Sequence, residues 1–566
     1  MKPVYSYESF RYGFFIHYIA SYAFYKDGTK PATYDEAVDN FDVEGFANDI
    51  ARMKVQYIIF TAWHYRALPL FPSEVTKKWR PGCEVKRDLL GEIIDAVRAK
   101  GIRVVLYTHP RDGHDFVGEE RVNCGWGEGC YKRDDNDILD TPNPDTFSYE
   151  KWNEYTLSLY QELLDRYGDR IDGIYTDGMG PGRFMGKHHS WAYEYPIINY
   201  QKIRQIVKKA NPDIAIMQNG FGWLFSNDFI IPEGFFGYEN GENDIGKWPA
   251  CEKGLAMTPF ANSWAATGRY GESVARLDPK DVVRFTIFHA SCATSGGVCW
   301  ASGPYCGGGW DVGVMETMSA VGDELTRLGE GTIEVKGSTS WPTVSGDTLA
   351  SLGYVFASSS RDAVYEYIHV MRMPKDGMIR LPAPEDGAKL SHPRSLCPSV
   401  KVCDFVQDEN GVSFRLEGEA DEVDTIIRLR RQNNADAMKW EWINDSDKRF
   451  IYDREAWDYE YLSQNNSHTL GHFEYDCRKS AKAGARINTW FEGSIIEVYG
   501  ALDPNGGRAD ILIDDMLVSR VDTKADKRET RSLLFRSNDL VGGIHTFTIV
   551  ALDDEPFEFD AVRIGR

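Results

Sequence analysis

Runs of β-branched and aromatic residues alternate with segments of helical spacing from the N-terminus to about residue 330. The predicted strands cover 12–18, 56–62, 102–108, 171–176, 214–217 and 297–300. The predicted helices cover 43–53, 89–100, 149–167, 197–210, 279–293 and 314–328. A repeated strand-then-helix order indicates a parallel sheet. At this length, we expect an α/β domain of the (β/α)8 TIM-barrel type, complete or short of eight units.

After Gly331 the pattern changes to short alternating strands with turn signals, such as 363–371 and 411–416 around a turn at 374–377. This pattern predicts a β-sandwich. A second all-β stretch follows a polar segment at 432–448, which is a linker or a first edge strand. Its strands, at 495–499, 509–514 and 545–550, predict a jelly roll. The expected domains are 1–330, 331–445 and 446–566.

Composition excludes several classes of partner. The formal charge of −22 argues against nucleic acid and anionic membranes. No stretch approaches the length of apolar sequence that spans a bilayer. The first eight residues lack the apolar run of a secretory signal. We therefore expect a cytoplasmic protein as the sequence stands, or a periplasmic or secreted one if a signal was removed. The oligomeric state is left open.

The chain has 10 cysteines, an ordinary number for its length. The spacings Cys124/Cys130 and Cys292/Cys299/Cys306 differ from the close Cys-x-x-Cys pairs of structural zinc sites. Buried free thiols are the expected state. No metal site and no cofactor is predicted.

One carboxylate stands out in the segment 170–180. Asp177 falls where the predicted strand 171–176 ends, directly before Gly178. In a barrel of parallel strands, that end faces the mouth where the chemistry is done. A charge is costly there unless it has a partner or a role. The alternative is an Asp that caps a helix or holds a turn.

Several segments, taken in order, resemble the α-L-fucosidases of glycoside hydrolase family 29. Phe-Ile-His-Tyr at 15–18 resembles the family's F-I-H-W, and Thr-Ala-Trp-His at 61–64 its T-A-K-H-H. Arg-Asp-Leu-Leu-Gly at 87–91 resembles R-D-L-(V/L)-G, and Tyr-Thr-Asp at 175–177 the W-x-D of the nucleophile. The likeness spans roughly three quarters of the chain, including the β-sandwich.

This resemblance implies an exo-acting retaining hydrolase that removes a terminal L-fucose-like sugar, such as L-fucose or L-galactose, from an oligosaccharide or polysaccharide. It implies that Asp177 is the nucleophile and Glu233 the acid/base. Glu252 and Glu239 lie on the same Gly-rich stretch and are the alternative proton donors. Retaining glycosidases need two such carboxyl groups about 5–5.5 Å apart.

The resemblance also suggests sugar contacts near the predicted strand ends. His17 and His64 lie on adjacent strands, and Tyr65 stands where the family has its second His. Tyr175 is expected to form an aromatic wall of the pocket. Three further residues either line a subsite or pack: Trp63, His109 and Trp300.

Departures from the family pattern leave two alternatives open. Asn219-Gly-Phe221 replaces the family's N-D-R-W, so the sugar-binding Arg is missing and the sugar pocket differs. One alternative is a carbohydrate-binding protein on a hydrolase scaffold without turnover. The other is a glycosidase or lyase whose acidic sugar is bound by Arg111 or Arg183. In the last domain, four aromatic residues are available for glycan binding or for packing: Trp457, Tyr459, Tyr461 and Trp490.

Overall fold

The structure, a computed structural model, describes most of the chain. The described residues are 10–20, 23–128, 130–132, 138–143, 145–177, 198–219, 229–231, 255–257, 264–266, 268–271, 278–291, 297–332, 335–341, 352–432, 440–453, 455–461, 467–537, 540 and 543–565. The chain divides into two units. The first consists of Met1–Asn243, Gly254–Ala290 and Gly296–Gly329, and the second of Asp244–Lys253, Ser291–Ser295 and Glu330–Arg566. The expected division into three domains stays a prediction.

A parallel sheet is the centre of the first unit. The described strands of this unit are β1 (Tyr12–Ile16), β2 (Tyr57–Trp63), β3 (Arg103–Thr108), β4 (Cys130–Lys132), β5 (Ile138–Pro142), β6 (Gly173–Thr176), β7 (Ala215–Gln218), β8 (Phe229–Ile230), β9 (Leu255–Met257) and β10 (Val298–Ser302). Eight of them pair in parallel in the order β8-β7-β6-β3-β2-β1-β10-β9. The strands β4 and β5 form a separate antiparallel pair. The parallel sheet is a half-barrel, consistent with an imperfect TIM-like domain, and a closed eight-unit barrel stays a prediction.

Helices lie between these strands. The described helices are α1 (Tyr34–Asp39), α2 (Val43–Arg52), α3 (Glu74–Trp79), α4 (Leu89–Ala99), α5 (Glu119–Asn123), α6 (Tyr149–Tyr167), α7 (Tyr200–Ala210), α8 (Pro279–Ser291) and α9 (Val314–Leu328). Several begin with a side chain that caps free backbone N–H groups, as Asp42 does for Gly45 and Ser148 for Lys151. The helix predicted at 149–167 has the same bounds in the structure. None of the described helices is long and apolar enough to cross a membrane.

Side chains alternate between the two faces of the parallel sheet, and this alternation decides what reaches the site. Phe15, Ile59, Val105 and Ala215 lie in one apolar cluster on the inner face. The paired register places Tyr107 opposite Tyr175, so both rings belong to this inner cluster. Where the same alternation continues past the end of a strand, the side chains that follow it therefore lie on the inner face at the carboxyl edge of the sheet.

The described part of the second unit beyond Gly331 is built mainly of β-strands, as predicted. Its described strands are β11 (Val335–Gly337), β12 (Val355–Ser360), β13 (Tyr365–Val370), β14 (Met378–Leu381), β15 (Leu390–Ser395), β16 (Val400–Asp408), β17 (Gly411–Gly418), β18 (Thr425–Arg431), β19 (Trp440–Asn444), β20 (Ile451–Tyr452), β21 (Asp458–Tyr461), β22 (Asp476–Ser480), β23 (Arg486–Gly493), β24 (Ile495–Leu502), β25 (Arg508–Ile513), β26 (Met516–Asp522), β27 (Glu529–Arg536), β28 (Gly543–Ala551) and β29 (Phe557–Gly565).

These strands form two pairs of antiparallel sheets. Sheets β11-β12-β13-β18-β15 and β14-β17-β16 enclose one apolar core. Sheets β21-β22-β29-β24-β27 and β20-β23-β28-β25-β26 enclose another. Strand β19, inside the polar segment 432–448, pairs with β29, so this segment supplies an edge strand.

Seven of the described cysteines are free thiols. Cys124, Cys299, Cys306 and Cys477 are buried, as expected, whereas Cys83, Cys397 and Cys403 are half-buried.

Candidate active site

Asp177 lies directly after β6, at the carboxyl edge of the parallel sheet, and is half-buried. Its carboxylate accepts a 2.6 Å hydrogen bond from the Tyr107 hydroxyl on Oδ2 and a 2.7 Å hydrogen bond from the Asn219 amide on Oδ1. Its backbone N–H donates to the carbonyl of Thr108 at 3.0 Å. Three neighbouring strands, β3, β6 and β7, therefore hold this carboxylate in one orientation.

The surroundings of Asp177 favour its ionised form. Burial raises the pKa of this carboxyl, but the attraction of His109 and the hydrogen bonds from Tyr107 and Asn219 lower it more, so the pKa lies below its ordinary value. Burial and the neighbouring Asp177 charge raise the pKa of Tyr107 well above its ordinary value. Tyr107 therefore stays protonated and acts as a donor.

His17 lies next to this carboxylate after β1. Its ring is stacked on Phe15 at 4.7 Å between centroids and lies 4.9 Å from the Tyr107 ring. Burial and the neighbouring His64 lower the pKa of His17 to about 3, so the ring is neutral near pH 7. Its Nδ1 atom is buried and makes no hydrogen bond within the described part of the chain. A buried polar atom without a partner is rare and points to a ligand or water.

His64 reaches the same edge because β2 contains an irregularity. The register with β3 pairs Thr61 with Tyr107 but Trp63 with Thr108, so one residue of β2 is extra between them. A bulge of this kind moves the following side chains to the opposite face. Trp63 therefore packs against Tyr160 of α6 at 5.1 Å, and His64 turns towards the inner face, 5.3 Å from the Tyr107 ring.

His109 lies beside His64, and a buried carboxylate bridges the two. The two rings are stacked, with centroids 4.9 Å apart and planes at 17°. Asp112, which begins a short 3₁₀ helix (Asp112–Asp115), lies with Oδ1 3.3 Å from His64 Nδ1 and 2.8 Å from His109 Nδ1. Burial raises the pKa of Asp112, but His109 and His64 lower it more, to well below its usual range.

These three residues have the spacing of a metal-binding group, since their ligand atoms lie within 4.8 Å of one another. An imidazole binds a metal through the lone pair in its ring plane. Because the two ring planes are stacked, a single ion cannot lie close to both. We therefore interpret the arrangement as a carboxylate shared by two imidazoles.

The chain leaves His64 through a strained segment. Tyr65, Arg66 and Ala67 all have positive φ, at 51°, 63° and 40°. Such backbone is costly for residues with a side chain and occurs where surrounding contacts hold it. Glu120 supplies one such contact through a 2.8 Å ion pair with Arg66. Tyr65 is 38% exposed, so it lies at the rim of the site rather than in the inner cluster.

The other aromatic residues predicted to contact the sugar lie apart from Asp177 and the imidazoles. Trp300 lies on the helix-facing side of β10, and its Nε1 donates to Thr286 of α8 at 2.8 Å. Tyr175 lies on the inner face, is 1% exposed, and donates its hydroxyl to the carbonyl of Ile231 at 2.8 Å. Trp63 and Trp300 therefore pack against helices, whereas Tyr175 forms part of the floor below Asp177.

Residues 6–252 match the α-L-fucosidase family model. This segment contains Asp177, His17, His64, His109 and Asn219.

Two curated relatives agree with this match. An inferred α-L-fucosidase 1 from Oryza sativa subsp. japonica is 31% identical over 135 residues, which is 23% of this chain and 20% of the relative. An inferred α-L-fucosidase from Caenorhabditis elegans is 23% identical over 218 residues, which is 30% of this chain and 43% of the relative. The chain therefore spans less than half the length of either relative.

Solved structures share the fold. The α-L-fucosidase from Vibrio sp. strain EJY3 superposes with a TM-score of 0.53 at 14% identity, covering 98% of this chain and 96% of that one. The α-L-fucosidase isoenzyme 1 from Paenibacillus thiaminolyticus superposes with a TM-score of 0.52 at 18% identity, covering 75% of this chain and 98% of that one. At these identities the likeness concerns the fold.

Part of the predicted site lies outside the described residues, namely Glu233, Glu239 and Glu252. Sequence reasoning did not identify Tyr107, Asp112 or the role of Asn219 at Asp177. The alternation along β3 gave a usable signal for Tyr107, since it lies two residues before His109. Asp112 had a weaker signal, three residues after the same His. Trp264, which packs on Phe15 and His17, had none.

Proposed function

We propose that this protein is a retaining glycoside hydrolase of the α-L-fucosidase type that removes a terminal L-fucose-like sugar from glycans. The observation that carries the proposal is the state of Asp177. It is a carboxylate at the carboxyl end of a strand in a parallel sheet, kept ionised by its neighbours and held on both oxygens. It also lies within the segment that matches the α-L-fucosidase family.

The environment of Asp177 suits a nucleophile better than a proton donor. A retaining enzyme needs one carboxylate that is ionised at the working pH and a second carboxyl whose pKa is raised. The lowered pKa of Asp177 fits the first role. Tyr107 and Asn219 restrict its rotation, which would hold the attacking oxygen near the anomeric carbon.

The imidazoles around Asp177 fit the recognition of a neutral, hydroxyl-rich ring. His17 is uncharged near pH 7 and carries a buried Nδ1 without a hydrogen-bond partner among the described residues. A sugar hydroxyl would satisfy this atom. We assign Glu233 as the acid/base from the sequence resemblance, with Glu252 and Glu239 as alternatives. We further propose that residues 446–566 form a separate galactose-binding-like module.

A panel of aryl glycosides tests the proposal. The panel includes α-L-fucoside, its L-galactose counterpart and an acidic sugar. Asp177→Asn should lower turnover of the accepted substrate by several orders of magnitude, because the amide is a poor nucleophile. Retention of more than about a tenth of wild-type turnover would remove Asp177 from this role.

The matched control is an Asp at the other end of the same strand. Asp172 is 7% exposed, lies at the edge opposite Asp177, and accepts a 2.6 Å hydrogen bond from the guanidinium group of Arg98. Asp172→Asn should lower the melting temperature and leave kcat/KM nearly unchanged. Binding of a glycan without turnover of any substrate in the panel would favour the carbohydrate-binding alternative.

A further inference from the structure

A buried carboxylate with no part in the proposed reaction lies between two imidazoles of the site. The Asp112 side chain is 0% exposed, and its Oδ1 atom lies within 3.3 Å of His64 Nδ1 and 2.8 Å of His109 Nδ1. Within the described residues, His64 is the hydrogen-bonding partner of this carboxylate and His109 is an ion-pair partner at 2.8 Å. A buried charge is costly unless it is paired. The two imidazoles therefore supply the compensation that Asp112 requires.

We propose that Asp112 is a positioning residue that holds His64 and His109 as one unit, with Nδ1 of each ring directed at its carboxylate. The inference rests on the proposed function, because it concerns how the imidazoles beside Asp177 are oriented towards a sugar.

The chemistry of the three groups fixes the position of the protons. An ionised carboxylate has acceptor atoms alone, so each Nδ1 that it binds must carry a proton. The Nε2 atom of each ring is then an acceptor when the ring is neutral and a donor when the ring is charged. Either form can bind a sugar hydroxyl. With the opposite tautomer, Nδ1 would place a lone pair against the carboxylate.

Other titratable groups surround Asp112, His64 and His109. They are His17 from β1, Tyr107 from β3, Tyr175 and Asp177 from β6, Tyr160 from α6, Tyr200 from α7, and Arg111 beside Asp112. The attraction of His109 lowers the pKa of both Asp112 and Asp177. Loss of the Asp112 charge would therefore remove the attraction between this carboxylate and the imidazoles that face the proposed nucleophile.

The test reads the tautomers directly. Protein labelled with ¹⁵N-histidine gives long-range ¹H–¹⁵N correlations that distinguish a protonated Nδ1 from a protonated Nε2, with signals assigned from His64→Gln and His109→Gln. Wild-type protein should show a protonated Nδ1 on both rings. Asp112→Asn replaces one acceptor oxygen by a donor, so at least one ring should change tautomer.

Turnover supplies the second readout. On the substrate accepted in the aryl-glycoside panel, Asp112→Asn should lower kcat/KM by about 10- to 100-fold, the range found for residues that orient metal-bound imidazoles. The same substitution added to the His64→Gln/His109→Gln double variant should cause no further loss, because Asp112 acts through these two rings. If Asp112 had only a structural role, Asp112→Asn would lower kcat/KM by the same factor in the wild-type protein and in the double variant.

The second unit offers a matched control. His369 Nδ1 lies 2.6 Å from Asp424 Oδ2, and both side chains are 0% exposed. Asp424→Asn should change the tautomer of His369 and lower the melting temperature, with kcat/KM unchanged.

Two outcomes would overturn the proposal. One is a neutral, Nε2-protonated ring at His64 and His109 in wild-type protein, which decides the question even if Asp112→Asn does not fold. The other is one equivalent of metal in wild-type protein that Asp112→Asn loses, which would make the group a metal site. Failure of the proposed function is separate, since it would appear as absent turnover by wild-type protein with unchanged tautomers.

Discussion

Removal of the Tyr107 hydroxyl tests how the fold sets the ionisation of Asp177. The Tyr107 side chain is buried, and its hydroxyl donates to Asp177 Oδ2 at 2.6 Å. A hydrogen bond to a charged group contributes roughly 1.5–3 kcal/mol, and one pKa unit corresponds to about 1.4 kcal/mol. Tyr107→Phe should therefore raise the pKa of Asp177 by roughly one to two units, since Asn219 still binds the other oxygen.

The sign of the change follows from the state of the carboxyl. Asp177 must be ionised to act as a nucleophile, and its folded pKa is already below the ordinary value. The acid limb of kcat/KM against pH reports such an ionisation in the free enzyme. Because Tyr107→Phe raises this pKa, the acid limb should move to higher pH by the same one to two units. The measurement is the pH profile of kcat/KM on the accepted aryl glycoside.

Another tyrosine–aspartate pair provides the control. Tyr167 is buried, and its hydroxyl donates to Asp88 Oδ1 at the same 2.6 Å, at the first turn of α4. Tyr167→Phe should cost stability and leave the acid limb in place. An acid limb that stays within about 0.3 pH units of wild type in a folded Tyr107→Phe variant would refute the reasoning from hydrogen bonding to nucleophile ionisation.

Three further predictions concern other groups. Burial lowers the pKa of His472, but Asp560 and Glu558 raise it to about 9. The contribution of this ring to the free energy of unfolding, about 3 kcal/mol, should therefore be complete below pH 6.5 and lost as the pH rises to 9. Urea titrations of His472→Gln that keep the wild-type pH dependence would contradict this prediction. Trp490 is 55% exposed, whereas Trp457 is 5% exposed and belongs to an apolar core. Trp490→Ala should therefore change the free energy of unfolding by less than about 0.5 kcal/mol, and Trp457→Ala should lower it by about 3–5 kcal/mol. If Trp490→Ala alone abolished the retardation of the protein in glycan-containing gels, glycan binding would be assigned to that ring. Glu233→Ala should lower the turnover of substrates with poor leaving groups more than that of activated substrates, and azide should restore the rate. The same pattern in Glu252→Ala instead would assign the acid/base role to Glu252.

The amino-acid sequence determined the order of elements in this protein. Hydrophobic periodicity is a local property, so strands such as 102–108 and the helix 149–167 could be located from it, and the β-then-α order implied a parallel sheet. The position of Asp177 at a strand end also followed from the sequence, because Gly178 closes an apolar run.

Tertiary structure decided which side chains meet at Asp177. Tyr107 and Asn219 lie 70 and 42 residues away from it along the chain, and strand register alone brings them within hydrogen-bonding distance. The irregularity in β2 turned Trp63 to the helices and His64 to the inner face, which periodicity cannot foresee because one extra residue reverses the alternation. Asp112 became a partner of both imidazoles for a similar reason. A buried charge is paired with the groups that the fold packs around it. For Asp112 these groups are His64, which lies 48 residues away along the chain, and His109, which lies in the same loop.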